Sequence, residues 1–140
     1  MCAAVLQCGA RCVMVSPMKP VPRWFVAICW TLATLFSLSV GLQLNDPDPA
    51  RWMLIYGASA IAVGLLPATR ALASVTIALG LLAAAWATYL LSRVSGIGVT
   101  DLWMKMSEKG GAVEVGREAA GLAIIAVSLL ACGAFRAMRV

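Results

Sequence analysis

The chain alternates between long apolar runs and short polar breaks, and the runs have the length of membrane spans. Trp24 to Leu44 holds 21 residues without a charge. As a helix that run is about 31 Å long, enough for a hydrocarbon core. A second run, Trp52 to Leu66, stops at Pro67. It reaches spanning length when its helix begins near Pro49, because proline suits the first helical turn. Ala71 to Ser92 is a third uncharged run. The fourth, Ala119 to Phe135, spans comfortably only with a turn at Gly116-Arg117-Glu118 at its start. The pattern therefore predicts spans at about 24–44, 49–67, 71–92 and 117–136 in one transmembrane domain, residues 24–136.

The breaks differ in kind. Residues 45–51 (Asn-Asp-Pro-Asp-Pro-Ala-Arg) and 67–70 (Pro-Ala-Thr-Arg) are predicted tight turns, which make neighbouring helices antiparallel. The third connection, about residues 93–118, is long and contains Gly96, Gly98, Gly110 and Gly111. Within it, Val99 to Ser107 is expected to form a short amphipathic helix with Trp103 at the membrane interface. The expected fold class is all-α: an integral membrane, left-handed bundle of four transmembrane helices with a long outer loop between helices 3 and 4. Small residues four apart (Ala60 and Gly64, Ser74 and Ala78, Gly80 and Ala84) are expected to let helix backbones approach closely.

Residues 1–23 form an N-terminal tail. Its apolar opening contains Arg11 and has no positive region ahead of it, so it is a poor signal peptide. Met18, just before Lys19-Pro-Val-Pro-Arg23, is the expected translation start, with Met14 or a short surface helix as the alternatives.

Composition agrees with a bilayer as solvent. The 140 residues are 62% hydrophobic and 12% charged, whereas soluble domains are about a quarter charged. The net charge of +5 does not indicate a nucleic-acid surface, because the charges lie between apolar segments and no basic run is interleaved with aromatics. The expected partners are the lipid bilayer and either a membrane-protein partner or a second copy. Five cysteines without a CxxC spacing argue against a disulfide framework or a zinc site. There is no histidine, the commonest metal ligand and general base. No catalytic residue, metal or cofactor is assigned.

Charge placement sets an expected orientation. One side holds Arg11, Lys19, Arg23, Arg70, Arg136 and Arg139 and no acid. The other holds all six acids (Asp46, Asp48, Asp101, Glu108, Glu114 and Glu118) together with Arg51, Arg93, Lys105, Lys109 and Arg117. The positive-inside rule places both termini in the cytoplasm.

Three polar patches fall on the acid-bearing side. In Gln43-Leu-Asn-Asp-Pro-Asp-Pro-Ala-Arg-Trp52, Asp48 is an expected N-cap of the second helix, and Asn45 or Asp46 can close the turn. The functional alternative is that Gln43, Asn45, Asp46 and Asp48 form an oxygen-rich cup for a cation or polar headgroup, although the spacing is not that of a calcium loop. In the second patch, Glu114 and Arg117 are three apart, and a salt bridge from Arg117 to Asp46 or Asp48 would pin spans one, two and four. In the third, Tyr89 and Arg93 are expected interfacial anchors. The predicted rim cluster is Gln43, Asn45, Asp46, Asp48, Trp52, Tyr56, Tyr89, Arg93, Arg117 and Glu118.

These patches resemble the transmembrane protein 220 family of small multi-span membrane proteins. The resemblance rests on Gln43, Asn45-Asp46-Pro47-Asp48, Trp52, Tyr56, Tyr89-Leu90-Leu91, Arg93, Gly116-Arg117-Glu118 and Gly121-Leu122, in order across roughly residues 30–132. It implies a multi-span helical fold and brings no activity with it. Three kinds of function are weighed on the residues. A non-enzymatic accessory or assembly subunit, or a binder of lipid or small ligand at the outer rim, fits the small size and the lack of mid-span charge. An oligomeric transporter or channel lacks ionisable residues in mid-span and any inverted repeat. A membrane enzyme would have to use Asp46, Asp48, Glu114 and Glu118, without a histidine or a recognisable nucleophile.

Overall fold

The computed structural model describes residues 20–45, 48–94, 98–103 and 111–139. Among these residues the chain is all-helical, with no strand. Helix α1 is Arg23–Leu42, α2 is Pro49–Leu65, α3 is Leu72–Ser92 and α4 is Ala112–Met138. Gln43–Asn45 and Val99–Trp103 are short 3-10 segments. Three helices, α1, α3 and α4, are long and apolar enough to cross a membrane.

The helix ends follow local chemistry. Pro22 is extended, and its carbonyl accepts the first amides of α1, from Phe25 and Val26. Pro49 stands at the start of α2, where its missing N–H and fixed φ cost nothing. Gly111 has φ 82°, a left-handed conformation that a residue with a Cβ adopts only with strain, and it admits the chain to α4. Helix α4 therefore starts earlier than the apolar run suggests. Gly116-Arg117-Glu118, expected as the opening turn of the fourth span, is helical as expected but lies further inside the helix, because Val113 and Gly116 bury their face against the bundle. The expected helix over Val99 to Ser107 is a 3-10 segment as far as Trp103, and residues 104–107 lie outside the described residues. The tail up to residue 19, with its candidate start sites, also lies outside them.

The helices run up and down. Helix α3 packs most extensively on α4, and α1 on α2, while α2 joins the two pairs through lighter contacts with α3 and α4. In lipid, association cannot draw on a hydrophobic drive, so close packing must hold the helices together. The α3–α4 contact shows how. A Cβ on Gly80 would lie 2.9 Å from Leu130 Cγ and 3.1 Å from its backbone nitrogen. A Cβ on Gly133 would lie 2.8 Å from Ile77 Cγ1 and 3.2 Å from the Ala73 carbonyl. Gly64 performs a milder version against Ala33 of α1. Ser74 and Ala78, expected at a contact, are exposed instead.

The core includes Phe25, Cys29 and Phe36 of α1, Trp52 and Val63 of α2, and Leu122, Ile125 and Leu129 of α4. Large apolar side chains on the outside, such as Leu42, Leu54, Leu82 and Val127, are a lipid-facing surface. Cys29 and Cys132 are free thiols buried where α1 meets α4. The rest of that meeting is aromatic: Phe25 stacks on Phe135 at 4.6 Å, and Trp24 packs edge-on against Phe135 at 4.9 Å.

Candidate functional site

At the end of the bundle where α2 and α4 begin, a cation is held between two acids and two indoles. Arg51, in the first turn of α2, reaches Glu118 of α4 at 3.2 Å and Asp48 at 3.7 Å. Its guanidinium carbon lies 5.2 Å from the Trp52 ring centre and 5.5 Å from that of Trp86 on α3. The two indoles are themselves stacked, 6.2 Å apart and 20° from parallel. One side chain thus binds α2, α3 and α4 together by charge and by contact with π-faces. Glu118 is the more sheltered acid, its side chain 22% exposed, whereas Asp48 is 69% exposed. The Glu118 contact is therefore the less screened by water and salt.

Asp48 precedes α2 as expected, but its carboxylate makes no capping hydrogen bond and turns toward Arg51 instead. Arg51 and Glu118 join α2 to α4 where a bridge from Arg117 to Asp46 or Asp48 was expected, and Asp46 lies outside the described residues. Arg117 is exposed and makes no ion pair among the described residues, with Asp48 or with Glu114. The reason is helical phase. Glu118 follows Arg117 by about 100° around α4, and only Glu118 is turned toward α2.

Trp52 is 6% exposed and continues inward to Tyr56, which lies between Trp52 and Phe36 of α1, with ring centres 6.3 Å from each. The Tyr56 hydroxyl approaches α4 at Gly121, where an added Cβ would stand 3.1 Å from it. Gly121 thus makes room for a tyrosine. Gln43 is half-buried in the 3-10 turn after α1, and Asn45 ends that turn. Asp46 lies outside the described residues, so the expected oxygen-rich cup is described only in part. Tyr89 and Arg93 do not join the cluster. They are exposed on α3 and stack on each other at 5.6 Å.

Two members of the cluster escape a reading of the sequence. Arg51 looks like one cation among eleven, although its position three residues after Asp48 is a usable signal. Trp86 looks like an interfacial aromatic, and nothing local pairs it with Trp52.

Beside the rim lies an apolar cavity of about 200 Å³. Leu91 and Val94 of α3, Gly98 and Leu102 around the 3-10 segment, and Gly116, Ala119, Ala120 and Ala123 of α4 line it. Small side chains on α4 create the space. Among the described residues no polar side chain lines the walls, so this lining suits hydrocarbon better than water. The hydroxyls in the helices are committed locally: Thr34, Ser39, Ser59, Thr76 and Thr88 each donate to the carbonyl four residues earlier. No group of three or more potential metal ligands occurs among the described residues.

The model of the family described as transmembrane family 220, helix, matches residues 35–134. The match includes the Arg51–Glu118 pair, both indoles and the cavity. No curated protein and no solved structure matches the chain.

Proposed function

The chain belongs to transmembrane family 220, and from that premise we propose that this integral membrane protein is a non-catalytic four-span bundle whose outer rim binds a lipid or a small apolar ligand. The observation that carries the binding reading is the cavity of about 200 Å³ beside the rim. It is walled by hydrocarbon and roofed by the 3-10 segment that ends in Trp103, a residue 90% exposed and suited to the interface. Apolar cavities of this kind take up hydrocarbon. The rim charges have a different part. Arg51 pairs with Asp48 and Glu118 and holds α2 against α4.

Four spans are favoured by geometry. Helix α2 has 17 residues, about 26 Å, at the lower limit for crossing the hydrocarbon core. It starts at the rim end of the bundle, beside Glu118, and finishes at the other end, beside Arg136. Crossing the bundle lengthwise in this way, it passes through the same thickness as its neighbours. The basic end would face the cytoplasm, with both termini, by the positive-inside rule.

A second reading, an accessory or assembly subunit of a membrane complex, draws on the outward-facing pair of Tyr89 and Arg93, which is free to meet another helix. Native mass spectrometry after gentle extraction tests both readings, on wild type and on Ala120→Leu, which fills the cavity. A lipid or small molecule kept by wild type and lost from the variant supports binding at the cavity. A co-purified protein retained by both, and lost on Arg93→Ala, supports the accessory role. A bare wild-type protein would remove both.

A further inference from the structure

The end of the bundle opposite the rim concentrates positive charge that no acidic side chain among the described residues offsets. Helices α1 and α3 start there, and α2 and α4 finish there. Arg136 of α4 is 3% exposed, and its Nε donates to the Leu66 carbonyl at 3.2 Å. Arg70, in the turn before α3, donates from Nη2 to the Ala137 carbonyl at 2.8 Å. Arg139 stands over the Phe135 ring at 4.7 Å, and that ring stacks on Phe25, two residues after Arg23. Arg70, Arg136 and Arg139 therefore stand close together at this end, and Arg23 is exposed in the first turn of α1 at the same end.

Among the described residues no acidic side chain lies among them. Residues 20–30, 62–75 and 130–139, which build this end, contain no Asp or Glu. A buried charge is ordinarily paired with an opposite one, but Arg136 makes no ion pair among the described residues and donates to a helix-end carbonyl. Helix dipoles do not settle the balance. The carboxyl ends of α2 and α4 bring about −0.5 each, and the amino ends of α1 and α3 bring about +0.5 each, so the dipoles cancel. The four arginine side chains at this end leave a charge of about +4 among the described residues.

We propose that this basic end binds the phosphate headgroup of an anionic phospholipid, held by Arg70 and Arg139 beside the Phe135 ring, with the exposed Arg23 adding to the local positive field and the buried Arg136 as a fixed charge beneath it. The chemistry is phosphate on guanidinium, which forms paired hydrogen bonds. Basic pockets between membrane helices take lipid headgroups for this reason. The site is separate from the rim and stands or falls without it.

The test uses the full chain in nanodiscs containing equal phosphatidylglycerol and phosphatidylcholine with identical acyl chains. After release into mild detergent, native mass spectrometry counts which lipid stays bound. Wild type should retain phosphatidylglycerol preferentially. Arg23→Gln combined with Arg139→Gln, neither of which makes a hydrogen bond holding the described fold, should weaken that preference about fivefold for each arginine removed. Arg117→Gln, at the rim end, should leave it unchanged. Equal retention of the two lipids by wild type would overturn the proposal, as would a preference that survives the paired substitutions or falls with Arg117→Gln. Inorganic phosphate supplies the remaining arm: if it displaces phosphatidylglycerol at equal concentration, the site belongs to a soluble anion and not to a lipid.

Discussion

Arg51 Nη2 lies 3.2 Å from Glu118 Oε1, a contact between residues 67 positions apart. It is the shortest route by which charge links α2 to α4. Both side chains are partly exposed, at 41% and 22%, so the pair behaves more like a surface bridge than a buried one. A double-mutant cycle with Arg51→Ala and Glu118→Ala, read by thermal unfolding in detergent, should give a coupling of about 0.2–1 kcal/mol. The coupling should shrink as salt is raised. Additive single effects would show that the two side chains do not interact.

Close approach of α3 and α4 makes one glycine irreplaceable and leaves another free. Gly80→Ala places a methyl within 3.1 Å of the Leu130 backbone nitrogen, and should destabilise the protein by about 1–3 kcal/mol. Gly41 in α1 has nothing within 4 Å of the same added atom. Gly41→Ala should be neutral, or stabilising by up to about 1 kcal/mol, because alanine gives up less chain entropy in a helix. Similar unfolding temperatures for the two variants would contradict the packing described here.

Arg136 is a stability residue as well as a charge. Arg136→Ala leaves the Leu66 carbonyl without its donor and opens space beside the buried Leu66 side chain. A loss of about 1–3 kcal/mol is expected from the hydrogen bond alone. Arg136→Lys keeps the charge but not the position of Nε, and should recover only part of it. Full recovery by lysine would mean that charge alone matters at this position.

The path of α2 through the membrane can be read by labelling. In a cysteine-free background, Asp48→Cys and Thr69→Cys mark the two ends of α2. A membrane-impermeant maleimide applied to intact cells should reach Asp48→Cys and spare Thr69→Cys until the membrane is opened. Labelling of both from one side would show that α2 does not cross.

The sequence alone determined the helical class and the apolar runs that become α1, α3 and α4, because lipid demands long uncharged stretches and helices that satisfy their own backbone. It also marked the turns, through Pro49 and through glycine near residue 111, because proline and glycine act within a few residues of themselves. Tertiary structure decided the partners. Whether Arg117 or Glu118 faces α2 depends on the rotation of α4, and a difference of one residue turns a side chain by about 100°. That Trp52 meets Trp86, and that Gly80 lies against Leu130, follows from how helices distant in sequence pack. Charges counted along the chain predicted an orientation. Only their arrangement in space shows that one cation at the rim is shared by two acids, while four at the other end have no acidic partner among the described residues.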